Sequence, residues 1–173
     1  MPLSDVLRKK LREAQYFLRQ MNAVAMRPIG DAEEFEFLLS AFLSASRSIT
    51  NALENRRYGA WFTAWQSSRT SSDTELLEFM RVQRIAEVHR DGADVEARVH
   101  FIPITEVRRA DRSHPAYGFH VFGPGDIEPA SVGVTAHWFE LGGTQIEAAD
   151  ACRRIVSVLS DLVDAFRTDH PDE

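Results

Sequence analysis

Ser72-Asp73-Thr74-Glu75-Leu76-Leu77-Glu78-Phe79-Met80-Arg81-Val82-Gln83-Arg84-Ile85-Ala86-Glu87-Val88-His89-Arg90-Asp91-Gly92, followed by Ala93-Asp94-Val95-Glu96-Ala97-Arg98-Val99-His100-Phe101, is where the chain changes its period. Leu76, Leu77, Phe79, Met80, Ile85 and Val88 supply the apolar content of a helix expected over residues 73–90. Ser72-Asp73-Thr74-Glu75 in front of it reads as a capping box, the serine accepting from the backbone at Glu75 while the glutamate reaches back. Asp91-Gly92 stops the helix. Beyond it Val95, Ala97, Val99 and Phe101 alternate with Asp94, Glu96, Arg98 and His100, which predicts a half-buried strand over 93–102. Pro103 places that strand at a sheet edge or marks its end.

Upstream, Leu7, Leu11, Ala14, Leu18 and Met21 make one apolar stripe on a helix over 4–25, with Ser4 as its cap. Arg27-Pro28-Ile29-Gly30 breaks it, because the residue before proline resists helical geometry. Asp31 then caps a longer helix to Arg57, with Phe35, Leu38, Phe42, Ala45, Ile49 and Leu53 as its stripe and Leu39 and Leu43 beside it. Tyr58, Trp61, Phe62 and Trp65 are spaced as one face of a short helix that fills core. Downstream, residues 106–116 read as a charged loop, Tyr117 to Phe122 as a weaker strand and Pro124-Gly125 as a turn. Val132, Val134, Ala136 and Trp138 alternate in a further strand over 132–141 that closes at Gly142-Gly143. Thr144 or Gln145 opens the last helix, to about 167, with Ala148, Ala151 or Cys152, Ile155, Val158 or Leu159, Leu162 and Phe166 as its stripe.

Four long amphipathic helices bury their stripes most simply against one another. The expected fold is therefore mainly α with a small β insert: a four-helix bundle carrying a short antiparallel sheet between helices three and four. The expected domain is a single one over 1–173, with the insert at about 93–143.

A chain of 173 residues with 44% apolar and 27% charged residues is ordinary for one globular domain with a proper core. Nothing in it approaches the ~20 continuous apolar residues of a membrane helix, and Met1 to Arg12 has no apolar run behind its charges, so neither a membrane protein nor a signal peptide is expected. One cysteine, Cys152, excludes an internal disulfide framework and points to a reducing cytoplasm. The net charge of −6 opposes a long-range pull on nucleic acid, although a local basic patch remains open. Residues 1–27 hold six Lys/Arg against two acids, and residues 145–173 seven acids against three arginines, which reads as two solvated helix faces. Eighteen of the twenty basic residues are arginine, a side chain suited to bidentate phosphate contacts.

Several signatures of chemistry are missing: no phosphate-binding loop, no dinucleotide fingerprint and no nucleophile elbow. The histidines His89, His100, His114, His120, His137 and His170 lack two-His helical spacing, so no metal site and no cofactor is expected. Cys152 sits in the stripe of the last helix and reads as a buried structural thiol.

The end of the third helix, Arg84 to His89, carries Arg, four residues and His, and in this it resembles the HEPN (higher eukaryotes and prokaryotes nucleotide-binding) domains, helical bundles of prokaryotic toxin and defence systems. The resemblance extends over about 33–166: Phe35 to Ile49 looks like the second helix of HEPN-like proteins, Trp61 to Trp65 like their Trp-containing segment, and Cys152-Arg153 like the Cys-Arg pair of their closing helix. It implies a homodimer whose two motifs line one cleft. In active members the pair works as a metal-independent endoribonuclease. By that resemblance His89 would move the proton of an attacking 2′-hydroxyl, and Arg84 would stabilise charge on the phosphoryl oxygens.

Five helical residues put the two positions about 140° apart, so the site requires the arginine to wrap round, the helix to unwind near His89, or a second subunit to complete it. Active members also carry Asn, Asp or His after the arginine, where this chain has Ile85. The bland reading makes Arg84 an ion-pairing residue, with Glu78 and Glu87 in range, and His89 a helix-terminal capper. The expectation is a non-catalytic or degenerate HEPN-like module that binds RNA, a nucleotide or a protein partner. The alternatives are an active endoribonuclease using Arg84 and His89, and a helical scaffold.

Overall fold

The computed structural model describes residues 2–25, 27, 32–54, 57–89, 95–103, 131–141 and 143–173, with the side chains of 85–89, 99–103 and 131–135 outside the description. Its described residues form helices α1 (Leu3–Ala25), α2 (Ala32–Glu54), α3 (Gly59–Ser67), α4 (Ser71–His89) and α5 (Ala148–Asp169), and strands β1 (Glu96–Pro103), β2 (Ser131–Leu141) and β3 (Thr144–Glu147). The chain is mainly helical with a small antiparallel sheet. The expected break at Pro28 to Gly30, the Asp31 cap, the stop at Asp91-Gly92, the loop at 106–116, the strand at Tyr117 to Phe122 and the turn at Pro124-Gly125 all lie outside the described residues.

The four long helices close a ring of packing: α1 on α2, α2 on α4, α4 on α5, and α5 back on α1. One cluster of buried side chains draws on all five helices and on β2. From α1 it takes Leu7, Ala14, Leu18 and Met21, the expected stripe, while Leu11 packs on its margin. Helix α1 starts at Leu3, and the Ser4 amide, expected to sit at the cap, instead donates to the Glu173 main-chain oxygen at 2.9 Å. In α2 the expected stripe Phe35, Phe42, Ala45, Ile49 and Leu53 is buried with its flankers Leu39 and Leu43, widened by Ser46 and Thr50, and only Leu38 of the expected residues is half-buried. In α5 both members of each alternative pair, Ala151 and Cys152, Val158 and Leu159, are buried, because this helix meets α1, α2, α4 and the sheet.

The described part of α2 runs to Glu54, and Arg57, near which the helix was expected to end, lies with Tyr58 in a turn. The reason is the close return of the chain: a Cβ on Gly59 would lie 3.2 Å from the Glu54 carbonyl oxygen. Tyr58, Phe62 and Trp65 are buried. The Tyr58 and Trp61 rings stand edge-on to Phe166, with centroids 4.9 and 5.3 Å apart, and Trp61 Nε1 donates to Asp169 Oδ2 at 2.9 Å. These rings fasten α3 to the end of α5.

Helix α4 begins at Ser71, and its cap is Thr70, not Ser72. The Thr70 hydroxyl accepts from the Asp73 amide at 3.2 Å, satisfying one of the orphan donors of the first turn. Ser72 is then free to accept from Arg154 at 2.6 Å, which ties α5 to α4.

The sheet has the order β1-β2-β3. Glu96 faces Trp138 and Pro103 faces Ser131, so among the described residues β1 is an edge strand, its pairing with β2 running to Pro103. The expected opening of the last helix at Thr144 or Gln145 is corrected: residues 144–147 pair with β2, Leu141 facing Thr144 and Trp138 facing Glu147. Gly143, at φ +77°, supplies the left-handed backbone of a two-residue hairpin connection, and the β-branched Thr144 and Ile146 suit a strand. Helix α5 therefore starts at Ala148.

The face of β2 is also corrected. His137 (3% exposed) and Phe139 (1%) point into the core, while Ala136 and Trp138 are half-buried on the other side. Strand side chains alternate, so a one-residue change of phase turns the whole strand over. Phe139 meets Phe79 edge-on at 4.9 Å, and His137 stacks on Phe35 with rings 3.7 Å apart and 3° from parallel. The outer face is polar. Arg98 hydrogen-bonds Glu96 and reaches across β2 to Gln145 at 2.6 Å, its guanidinium 6.0 Å from the centre of the Trp138 ring.

Candidate functional site

Arg84 and His89 are both carried by the last turns of α4. The helix continues without a break to His89, so unwinding before the histidine is not how the pair could meet. Successive residues turn about 100°, which sets Arg84 and His89 about 140° apart around the axis. Arg84 is half-buried and engaged within the protein. The side chains of Ile85, Glu87 and His89 lie outside the described residues.

One turn before Arg84, on the same side of α4, is a cleft that reading the sequence for motifs missed. Arg47, Thr50 and Glu54 of α2, Gln66 of α3, and Thr74, Leu77, Glu78 and Arg81 of α4 line a volume of about 210 Å³. Arg47 donates to both oxygens of Glu54, at 2.7 and 2.6 Å, and to the Thr50 hydroxyl at 2.7 Å. Arg81 forks onto Glu78 at 2.8 and 2.5 Å. The Arg81 hydrogen bonds hold the Glu78 carboxyl below its usual range, with Arg81 and Arg47 adding attraction against the cost of burial. Glu78 is thus a carboxylate with no proton to give at neutral pH, and each guanidinium already faces an anion. Each printed pair stays within its own helix, so such a cleft offers an incoming phosphate two arginines already committed to carboxylates. The spacings 47/50/54 and 74/77/78/81 are those of two facing helical stripes, the signal that could have found it.

Two other titratable groups are buried. Cys152 is fully enclosed in α5, and burial pushes its thiol well above the ordinary range, so it is an inert structural thiol. His137 has neither ring nitrogen hydrogen-bonded among the described residues, and burial lowers its pKa, holding the ring neutral. Among the described residues no three of His, Cys, Asp and Glu gather into a metal site. No helix among them is long and apolar enough to cross a membrane.

Compared with models of protein families, with curated proteins and with solved structures, the chain matches none of them.

Proposed function

We propose that this protein is a non-catalytic, HEPN-like helical module that acts by binding RNA, a nucleotide or a protein partner, as a homodimer, in a prokaryotic defence or toxin–antitoxin setting. The family reading rests on the order of elements: the Phe35 to Ile49 helix, the Trp61 to Trp65 segment, the Arg84 to His89 helix end, an antiparallel sheet, and a closing helix with Cys152-Arg153. One observation carries the non-catalytic part. The residue after Arg84 is Ile85, which cannot orient the pair as the Asn, Asp or His of active members would; the offset of about 140° along the unbroken α4 leaves only arginine wrapping or a second subunit to bring the pair together.

The test is cleavage of a labelled RNA in excess chelator. Wild-type protein should leave it intact. Ile85→Asn, checked for folding, should gain weak cleavage that disappears again in Arg84→Ala or His89→Ala if only the polar neighbour is missing. A positioned base or oxyanion donor contributes about 10²- to 10⁴-fold, so the assay must resolve a hundredfold change. Strong cleavage by the wild type would overturn the reading in favour of an active endoribonuclease using Arg84 and His89. A monomeric mass by light scattering at micromolar concentration would remove the homodimer.

A further inference from the structure

Among the described residues, the arginines outside the first helix are engaged. Arg27 pairs with Glu34, Arg47 with Glu54, Arg57 with Glu173, Arg69 with Asp161, Arg81 with Glu78, Arg98 with Glu96, Arg153 with Asp150 and Arg167 with Asp164, while Arg154 bonds Ser72. Helix α1 is the exception. Arg8, Lys9, Arg12 and Arg19 are exposed and have no ion-pair or hydrogen-bond partner among the described residues.

Their spacing places them together. At 100° per residue Arg8, Arg12 and Arg19 fall within about 40° of one another, and Tyr16 and Lys9 lie about 40° and 60° to one side of Arg12. The row is about 16 Å long. Tyr16 is 50% exposed and is braced edge-on by Phe17 at 5.5 Å, so its ring stands at the surface among the cations.

From this we infer that the outer face of α1 is a docking surface for single-stranded nucleic acid. Its phosphates lie along Arg8, Arg12 and Arg19, with a base against Tyr16. Forked guanidinium groups match phosphate oxygens, and an aromatic face accepts any base. The whole chain carries a net charge of −6, and among the described residues this row is where cations without ion pairs gather, with the exposed Asp5 at its N-terminal end as the acid beside them. A lipid surface fits worse, because the apolar residues that would sink into it (Leu7, Ala14, Leu18, Met21) are buried in the core. A second copy docking by its acidic α5 also fits worse, since Asp150, Asp161, Asp164 and Asp169 already hold partners. The surface is independent of whether Arg84 and His89 form a site.

The experiment is fluorescence anisotropy of a labelled 12-nucleotide oligouridylate with the full chain, over about 20–200 mM salt. Each phosphate contact to a single strand contributes a log–log salt slope of about −0.7, so three contacts give about −2. Arg8→Gln/Arg12→Gln/Arg19→Gln, all at exposed positions, should flatten the slope and lower affinity at least tenfold, and Tyr16→Ala alone should lower it at least fivefold. Arg153→Gln/Arg167→Gln, removing paired cations, should change little. No binding by the wild type at 20 mM salt overturns the inference. So does RNA binding that both α1 variants leave intact, which places the strand elsewhere. Binding to polyglutamate or to phosphatidylserine vesicles as tight as to RNA, and indifferent to Tyr16→Ala, overturns it in favour of another acidic partner. None of these results alters the outcome of the cleavage test on α4.

Discussion

Phe139→Ala should destabilise the protein far more than Trp138→Ala, although tryptophan is the larger residue and the alternation of the sequence favours Trp138 as the inward one. Phe139 is 1% exposed, with its ring 4.9 Å from Phe79 of α4, so it is the side chain that pins β2 to the bundle. Removing a fully buried phenylalanine costs about 3–5 kcal/mol, through lost transfer energy and the cavity left behind. Against a typical total of about 5–15 kcal/mol that is about a fifth of the stability or more. For a chain of this size each kcal/mol moves the midpoint by about 2–4 °C, giving a fall of about 6–20 °C. Trp138 is half-buried on the outer face, roofed by Arg98, and its loss leaves no enclosed cavity. Thermal and urea unfolding followed by circular dichroism would measure both. Phe139→Leu, which keeps most of the volume, should recover most of the loss and keeps the comparison readable if the alanine variant fails to fold. A Trp138→Ala variant as unstable as Phe139→Ala would show that the phase of β2 is the opposite one.

Two further outcomes are expected. His137 is neutral in the fold because burial lowers its pKa, so the unfolded chain binds the extra proton first; stability should be complete above about pH 6.5, and fall as pH drops from there towards the lowered folded value. Each tenfold difference in proton affinity is worth about 1.4 kcal/mol, and urea midpoints at pH 7.5, 6.0 and 5.0 that decline no more steeply for the wild type than for His137→Phe would refute it. Thr70→Ala should cost about 1 kcal/mol by loss of the α4 cap, against a smaller effect for Ser72→Ala, whose hydroxyl serves only Arg154; the reverse order in urea unfolding would restore Ser72 as the cap.

The helices were legible because each rests on a local period. The stripe of α5 survives intact, and that of α1 loses only Leu11 to the margin, since a long amphipathic helix has one way to bury itself. What failed was decided between neighbours or across distance. Ser71, Ser72 and Thr70 all offer a hydroxyl at the start of α4, and only the backbone geometry selects Thr70. Strand β2 has apolar residues on both phases, Val132, Val134, Ala136 and Trp138 on one, Phe139 and Leu141 on the other, so its inward face depends on which one the bundle can seat. The four residues of β3 are too short to show a period, and it is pairing with β2 that makes them a strand. The Arg84 and His89 motif was visible as letters at a spacing. The Arg47, Glu54, Glu78 and Arg81 cleft was not, because its halves are far apart in sequence and meet only when α2 packs on α4.

The ring of helices separates two kinds of charged surface. Between α2 and α4 the charges face one another, each guanidinium forked onto a carboxylate of its own helix, so both arginines of the cleft are already paired. On α1 the buried side packs on α2 and α5, which leaves on its outer side the exposed cations Arg8, Lys9, Arg12 and Arg19, with Asp5 and the Tyr16 ring beside them. A polyanion meeting this protein finds pre-paid charge at the first surface and unpaired charge at the second. Breaking an Arg–Glu fork to admit a phosphate exchanges one charge-assisted pair for another, with little net gain, whereas a contact to Arg8, Arg12 or Arg19 releases counterions and displaces nothing. If the inference holds, the affinity of the described surface for an anionic strand is concentrated on α1, and the salt slope of the α1 variants measures that share.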